Sequence, residues 1–232
     1  SVRTCSDGLF AVETPKNSST ATNGTLSVST LKPTPSKPML LQHNYLWYIP
    51  DFVELIGGVS TLREFEREIS RRCDKHPGII SPDDYKGYAF EIFIEFFLKY
   101  HNGDPHTTFI SDYEPNTDRD KGIDGIGKSI IDGLPAYVQG KYRSNPTHLL
   151  KNDDNVSNLV TDAVLNYGCV PNKKNKNLII ITNCKGVHPE HPASGCHQIT
   201  RKRIQRMVDN ITVFWDDFRS VVCETIKIGN ES

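Results

Sequence analysis

Gly122-Ile123-Asp124-Gly125-Ile126-Gly127, with Tyr137-Val138-Gln139-Gly140-Lys141-Tyr142-Arg143 further along, are the two arms of one expected β-hairpin. Ile126 to Ile131 leads in, Asp132-Gly133 supplies a two-residue turn signal, and Leu134 to Arg143 leads out. A turn closed by Ile131 opposite Leu134 sets Asp124 directly across from Lys141, with Gln139 two residues along on the same face. One carboxylate, one amide and one amine then share a patch of sheet, while Ile123, Val138 and Tyr142 point the other way, into a core. A polar trio on an otherwise apolar hairpin is the pattern of a site.

The segments on either side say what the hairpin is built into. Before it, Asp83 or Asp84 caps a helix that runs to about Tyr100 and stops at Asn102-Gly103. Tyr85, Ala89, Ile92, Phe93, Phe96 and Tyr100 share one face, and Phe90, Ile94, Phe97 and Leu98 cover much of the rest, so the helix is buried nearly all round. Glu91 and Glu95 lie one turn apart within it. A buried carboxylate needs a partner, a cation or a shifted pKa. A site role fits Glu91, whereas for Glu95 a site role stands side by side with reaching solvent or pairing with an Arg of the preceding helix. Thr107 to Ser111 reads as a first strand and Asp112 to Asp120 as a polar loop.

After the hairpin, Asp153 or Asp154 caps a helix whose apolar residues run from Val156 to Tyr167, with Gly168 as its stop. Leu178-Ile179-Ile180-Ile181-Thr182 is short, apolar and β-branched, a strand covered on both faces. A strand–helix–strand order makes it parallel to the second arm of the hairpin. A helix carrying Arg201, Lys202, Arg203 and Arg206 follows, then an expected last strand at Ile211–Trp215 and a short helix to Val222. The fold class is α/β with a mixed sheet flanked by helices.

Three regions emerge. Residues 1–38, rich in Ser, Thr and Pro, read as a flexible linker or tail; residues 39–77 as a small helical appendage; residues 78–232 as the main domain. In the appendage the aromatic knot Tyr45-Leu46-Trp47-Tyr48-Ile49 is expected to pack into a core rather than stack on bases. No apolar run is long enough to span a membrane and no signal peptide is visible. The six cysteines follow no framework spacing, so reduced thiols and a cytoplasmic location are expected. Net charge is only −1, but between Gln139 and Arg206 eleven basic residues face four acidic ones. A local basic surface of that kind suits a phosphate backbone.

Phosphodiester hydrolysis needs a divalent cation on the scissile phosphate and a positive group to orient water or absorb developing charge. Mg²⁺ or Mn²⁺ would take hard oxygen ligands. Asp124 offers one carboxylate, Glu91 a second, and the backbone carbonyl of Gly140 a further oxygen; Lys141 is the positive group. Gln139 gives only a neutral oxygen, which is why Glu91 is required.

The order of Phe90-Glu91, Gly122-Ile123-Asp124, Val138-Gln139-Gly140-Lys141-Tyr142 and Ile180-Ile181-Thr182-Asn183 resembles the PD-(D/E)xK nuclease superfamily, most of all its Mrr-like restriction endonuclease branch, in which Gln replaces the usual Glu. The resemblance covers roughly residues 84–222. It implies a restriction-endonuclease-like fold and metal-dependent DNA cleavage, with Asp124 as metal ligand, Gln139 and Lys141 as the Q-x-K pair and Glu91 as the helical acid. Asp124 lacks a preceding Pro, and the stretch from Asn183 to Gly195 falls outside the pattern. Arg143, the Lys173, Lys174 and Lys176 loop, and Arg201, Lys202, Arg203 and Arg206 would then hold the DNA backbone without reading its sequence. The Pro-rich start suggests a tethered helicase or recognition domain, and a homodimer is open. The alternative is a non-cleaving DNA-binding module of the same fold. A further expectation, a structural zinc site from Cys184, His188, His191 and Cys196, has suitable ligand types but no familiar spacing.

Overall fold

Residue periodicity divides the chain into a sheet and two helical layers. The computed structural model describes residues 39–116, 122–169, 177–209, 211 and 213–231. Six α-helices are described: α1 (Phe52–Ile56), α2 (Leu62–Arg72), α3 (Pro82–Tyr100), α4 (Ser157–Tyr167), α5 (Arg201–Val208) and α6 (Phe214–Glu231). Five strands, β1 (Ile110–Pro115), β2 (Gly125–Ser129), β3 (Pro135–Lys141), β4 (Leu178–Thr182) and β5 (His197–Ile199), form one mixed sheet in sequential order. The pairs β1–β2 and β2–β3 are antiparallel; β3–β4 and β4–β5 are parallel.

Alternation along the strands assigns the two faces. Ala136, Val138, Ile179, Ile181 and Ile199 join a core with α3 and α6, while Tyr137, Leu178 and Ile180 join a second core with Leu159 and Ala163 of α4. β4 is buried at every position because both faces are covered, as its unbroken apolar run requires. α3 is the central helix. Ser81 accepts from the Asp84 amide, Pro82 opens the first turn, and the residues from Ala89 to Leu98 are buried except Glu91. Asp83 and Asp84 therefore lie inside the helix rather than capping it. Gly168 ends α4 in the left-handed conformation, as its sequence position indicates.

Residues 39–77 are not an appendage. Leu41, Leu46, Ile49, Phe52, Leu55, Leu62, Phe65 and Ile69 are buried in the same core as α3 and α6, and residues 37–232 make one compact unit. A helix apolar nearly all round cannot be satisfied by one sheet face, so α2 and α6 cover α3 where the sheet leaves it open, with Phe65 against Phe93 and Phe218 against Phe96. The aromatic knot divides: Leu46 and Ile49 are buried, but Trp47 and Tyr48 remain about half exposed.

Three local expectations are corrected. β1 begins at Ile110 and carries an irregularity between Ser111 and Glu114, where Asp112 adopts a positive φ. β5 occupies three residues of the stretch between β4 and α5, too short to announce itself by alternation. The expected strand at Ile211–Trp215 is instead the entry into α6, whose Phe214, Trp215, Phe218 and Val222 recur at helical spacing and are buried.

Candidate functional site at the end of the central hairpin

The hairpin forms, with a register two residues from the expected one. Gly125 pairs with Val138, Ile126 with Tyr137 and Gly127 with Ala136. The turn spans four residues, not two: the Ser129 amide donates to the Leu134 carbonyl, and the Gly133 amide returns to the Ser129 carbonyl, each at 2.8 Å. Gly133 takes φ +73°, a conformation that favours glycine. The Leu134 amide also donates to the Asp132 carboxylate, so Asp-Gly marks the end of the turn and not its whole length.

At Asp124 the ladder becomes irregular. Its amide donates to the carbonyl of Val138, the residue already paired with Gly125, so two residues face one as in a bulge. Ile123 consequently packs on the α4 side, while the Asp124 carboxylate turns toward α3. There its Oδ2 accepts the Gly140 amide at 2.6 Å. A Cβ on Gly140 would stand 3.5 Å from that oxygen, 3.8 Å from Glu91 Cγ and only 2.5 Å from Ile94 Cδ1. The bare backbone of Gly140 is what lets two acidic side chains from different elements meet over the strand.

This splits the expected trio. Gln139 lies on the opposite face with Tyr137 and Ile180; it is 1% exposed and its Oε1 has no hydrogen-bond partner among the described residues. The bulge re-aims Asp124 away from the face that alternation assigns to Gln139. Lys141 ends β3 and remains with the acids: it lines, with Glu91 and Gly140, a cleft of about 470 Å³ between the first half of α3 and residues 140–144. Lys86, Arg143 and Asp154 border the same cleft.

The electrostatics of the two acids reflect their crowding. Burial pushes Glu91 up to about 7 against the pull of Lys141. Burial and the neighbouring Glu91 push Asp124 up to about 7 despite Lys141, the Gly140 amide and His43. Tyr113 donates its hydroxyl to the Asp124 carbonyl at 3.3 Å, and burial beside these carboxylates keeps the phenol protonated.

A residue that sequence reasoning placed outside the domain completes the surroundings. His43 is 5% exposed, and its Nε2 lies 3.3 Å from Glu91 Oε2. Burial lowers its pKa, although Glu95 and Asp124 oppose the shift. Its position is fixed by Glu95, which accepts the amides of Gln42 at 2.6 Å and His43 at 2.9 Å and pairs with Lys99 at 2.5 Å. Lys99 in turn donates to the Leu40 carbonyl. Glu95 is thus a clamp and not a site residue, and its partners are Lys99 and backbone amides in place of an Arg from α2. The only signal in the sequence was that a fully buried carboxylate must find donors somewhere.

The basic residues have structural partners more often than the charge count suggests. Arg143 pairs with Asp154 at 2.5 Å, and His148 Nε2 approaches the other oxygen of Asp154 at 2.9 Å. Burial of Asp154 is outweighed by His148, the Lys151 amide and Arg143, and its carboxyl is held down at about 2. Arg201 makes a two-point contact with Glu66. Arg203 donates to the Thr107 carbonyl and lies over the Phe109 ring. Lys202 and Arg206 stay exposed. Lys173, Lys174 and Lys176 lie outside the described residues.

The zinc expectation is not supported by the placement of its residues. Among the described residues no group of three or more His, Cys, Asp or Glu side chains is placed to hold a metal ion. His191 Nδ1 accepts the Ala193 amide, Cys184 contacts Thr182 Oγ1, and burial pushes the Cys196 thiol up to about 12. Those side chains serve the loop's own packing. No described helix is long and apolar enough to cross a membrane.

No family model, curated protein or solved structure matches the chain. Its class is therefore stated from fold and site alone: a mixed α/β protein with two crowded carboxylates and a lysine at the end of the central hairpin.

Proposed function

We propose that the chain is a metal-dependent deoxyribonuclease, an endonuclease of the restriction-endonuclease-like PD-(D/E)xK kind. The observation that carries this reading is the convergence of Glu91 and Asp124, one from α3 and one from the hairpin, with both carboxyls raised to about 7 and Lys141 beside them. Two desolvated acids that repel each other fit a cation: a positive ion would let both ionise at neutral pH. Mg²⁺ or Mn²⁺ suits the hard oxygen donors Glu91, Asp124 and the Gly140 carbonyl. When bound, it would neutralise charge on a scissile phosphate and acidify a water.

The chain's own residues do the rest. Asp124 is oriented by the Gly140 amide, so its second oxygen is the one left for a ligand. Lys141 offers its ammonium to the phosphate or the attacking water. Glu91 is the acid reachable from the cleft. His43, with its pKa lowered, presents a neutral imidazole to Glu91 and adds no competing charge. Gln139 has no role in this chemistry; it belongs to the packing on the other face. Lys202 and Arg206 are the basic residues of α5 best placed to meet a DNA backbone.

The test is incubation of the protein with supercoiled plasmid, with Mg²⁺, Mn²⁺ or chelator, beside Asp124→Ala, Glu91→Gln and Lys141→Ala. Nicking that requires the cation and all three residues is expected. Cleavage retained by the variants would overturn the assignment. DNA binding with no cleavage by the wild type would favour the non-cleaving module.

A further inference from the structure

Two helices beside the cleft are locked together by ties that run in opposite directions along them. Arg201, at the start of α5, makes its two-point contact with Glu66 in the middle of α2. Asp209, just past the end of α5, accepts the amide of Leu62, at the start of α2, at 2.8 Å. α5 is therefore antiparallel to α2, with Glu66, Arg201 and Asp209 in the seam between them. Leu62, Phe65 and Ile69 of α2, and Ile204, Met207 and Val208 of α5, turn into the core.

Each residue of a helix is turned about 100° from the one before it. Arg63 and Arg67 follow Leu62 and Glu66 of the seam by one residue, and Lys202 follows Arg201, with Arg206 one turn later. In antiparallel neighbours both steps turn the same way, out of the seam and away from the core. All four side chains are exposed. They repeat about 6 Å apart along each helix, on axes separated by roughly 8–10 Å. The nearby acids are occupied or turned aside. Glu64 accepts the Ser60 amide and hydroxyl, and Glu68 pairs with Arg71 and Arg72, both acids on the flank of α2 away from α5. Phe65, the one aromatic residue of the two helices, is buried. The seam leads to the cleft: Glu66 also accepts from Asn183, which holds the Arg143 amide at 2.7 Å and carbonyl at 2.9 Å, and Arg143 and Lys141 line the cleft.

Fixed cations in two rows, with no ring to stack on and no apolar residue to insert, suit a dense array of phosphates. A single strand is usually held by aromatic stacking, and a membrane surface by apolar side chains beside the cations. A duplex supplies phosphates at the highest density. We propose that Arg63 and Arg67 of α2 join Lys202 and Arg206 of α5 in one ridge that seats the backbone of duplex DNA outside the cleft. The choice of DNA rests on the nuclease reading, but binding is read without cleavage.

The experiment uses the full chain in chelator and follows the fluorescence anisotropy of a labelled blunt duplex of about 20 base pairs, two helical turns, across a salt titration. Replacing both arginines, Arg63→Gln with Arg67→Gln, should lower the slope of log affinity against log salt by about two and weaken binding at least tenfold at ~0.1 M salt. The pair Arg63→Lys with Arg67→Lys, which keeps the charges, should stay close to the wild-type slope. Lys128→Gln, a charge change on β2 where Lys128 pairs with Asp112, should leave it unchanged. Thermal unfolding of the exposed-site variants should match wild type. An unchanged slope in the double Gln variant, an equal loss in Lys128→Gln, a single strand bound more tightly than the duplex, or binding to anionic phospholipid vesicles in place of DNA would overturn the ridge. If plasmid is cut and the double Gln variant keeps the wild-type slope, the ridge fails and the nuclease reading stands. If the slope falls as expected and plasmid is never cut, the ridge stands and the nuclease reading fails.

Discussion

Replacing Asp124 by Asn should make the cation-free protein more stable at pH 8 while abolishing cleavage. The folded-state pKa of Asp124 rises from an ordinary 3.8 to about 7, because burial and Glu91 outweigh Lys141 and the Gly140 amide. A raised pKa means that the folded protein keeps a proton the unfolded chain has released. Stability is then full below about pH 4 and declines as pH climbs toward 7. At about 1.4 kcal/mol per unit the shift corresponds to about 4 kcal/mol at pH 8. The residue's partial accessibility trims this to roughly 2–3 kcal/mol. Asn keeps an oxygen for the Gly140 amide and removes the charge, so most of that penalty should be recovered. For a chain of this size the gain corresponds to a rise in Tm of roughly 5–10 °C. Thermal unfolding followed by circular dichroism in chelator, at pH 8 and at pH 4, is the assay. The difference should vanish at pH 4, where Asp124 is already neutral, and shrink at pH 8 in saturating Mg²⁺, which stabilises only the charged form. An Asn variant no more stable at pH 8, or equally stabilised at both pH values, would refute the claim that Asp124 is held charged against its surroundings.

Other substitutions probe the supports of the site. Glu95→Gln leaves Lys99 as a charge without its partner and weakens the hold on residues 42 and 43; a loss of about 3 kcal/mol in denaturant unfolding is expected. Gly125→Ala puts a methyl group into the Tyr113 ring and should cost roughly 1–3 kcal/mol in the same measurement, with Tyr113→Leu, which removes the ring, restoring part of it. Arg203→Ala should lower stability by about 1–3 kcal/mol because the Thr107 carbonyl and Phe109 lose their contacts. Lys202→Ala should leave stability unchanged and reduce the salt dependence of DNA binding by about one counterion.

The parts legible in sequence were those governed by long, unambiguous periodicity. α3, α4 and β4 lie close to where their apolar spacing puts them, and β4 runs parallel to β3 as the order of elements demands. The hairpin was legible but its register was not, because Asp132-Gly133 is compatible with a two-residue turn and with the end of a four-residue one. A slip of two conserves faces, so that error alone would have kept Asp124, Gln139 and Lys141 together. Separating Gln139 from Asp124 took the bulge at Asp124, which depends on where Ile123 finds its packing partners on α4. Nor could local pattern reveal His43. Its place is determined by Glu95, far along the chain, and by an entire helix apolar enough to need residues 39–77 as its cover. The strand expected at Ile211–Trp215 failed for the opposite reason: a five-residue window hides the helical spacing that continues to Val222.

The clamp made by Glu95 also sets where the chain can be cut. Composition invites a boundary near Pro77, where His76-Pro77-Gly78 punctuates the sequence. A shortened chain beginning there would keep α3, the whole sheet, Asp124 and Lys141, and would look complete by motif. It would nevertheless strip Glu95 of two amide donors, bare the Phe65-facing side of Phe93 and remove the imidazole that stands against Glu91. The smallest autonomous piece of this protein therefore starts before Leu40, and a shorter fragment that binds or cuts nothing would say little about what the intact chain does.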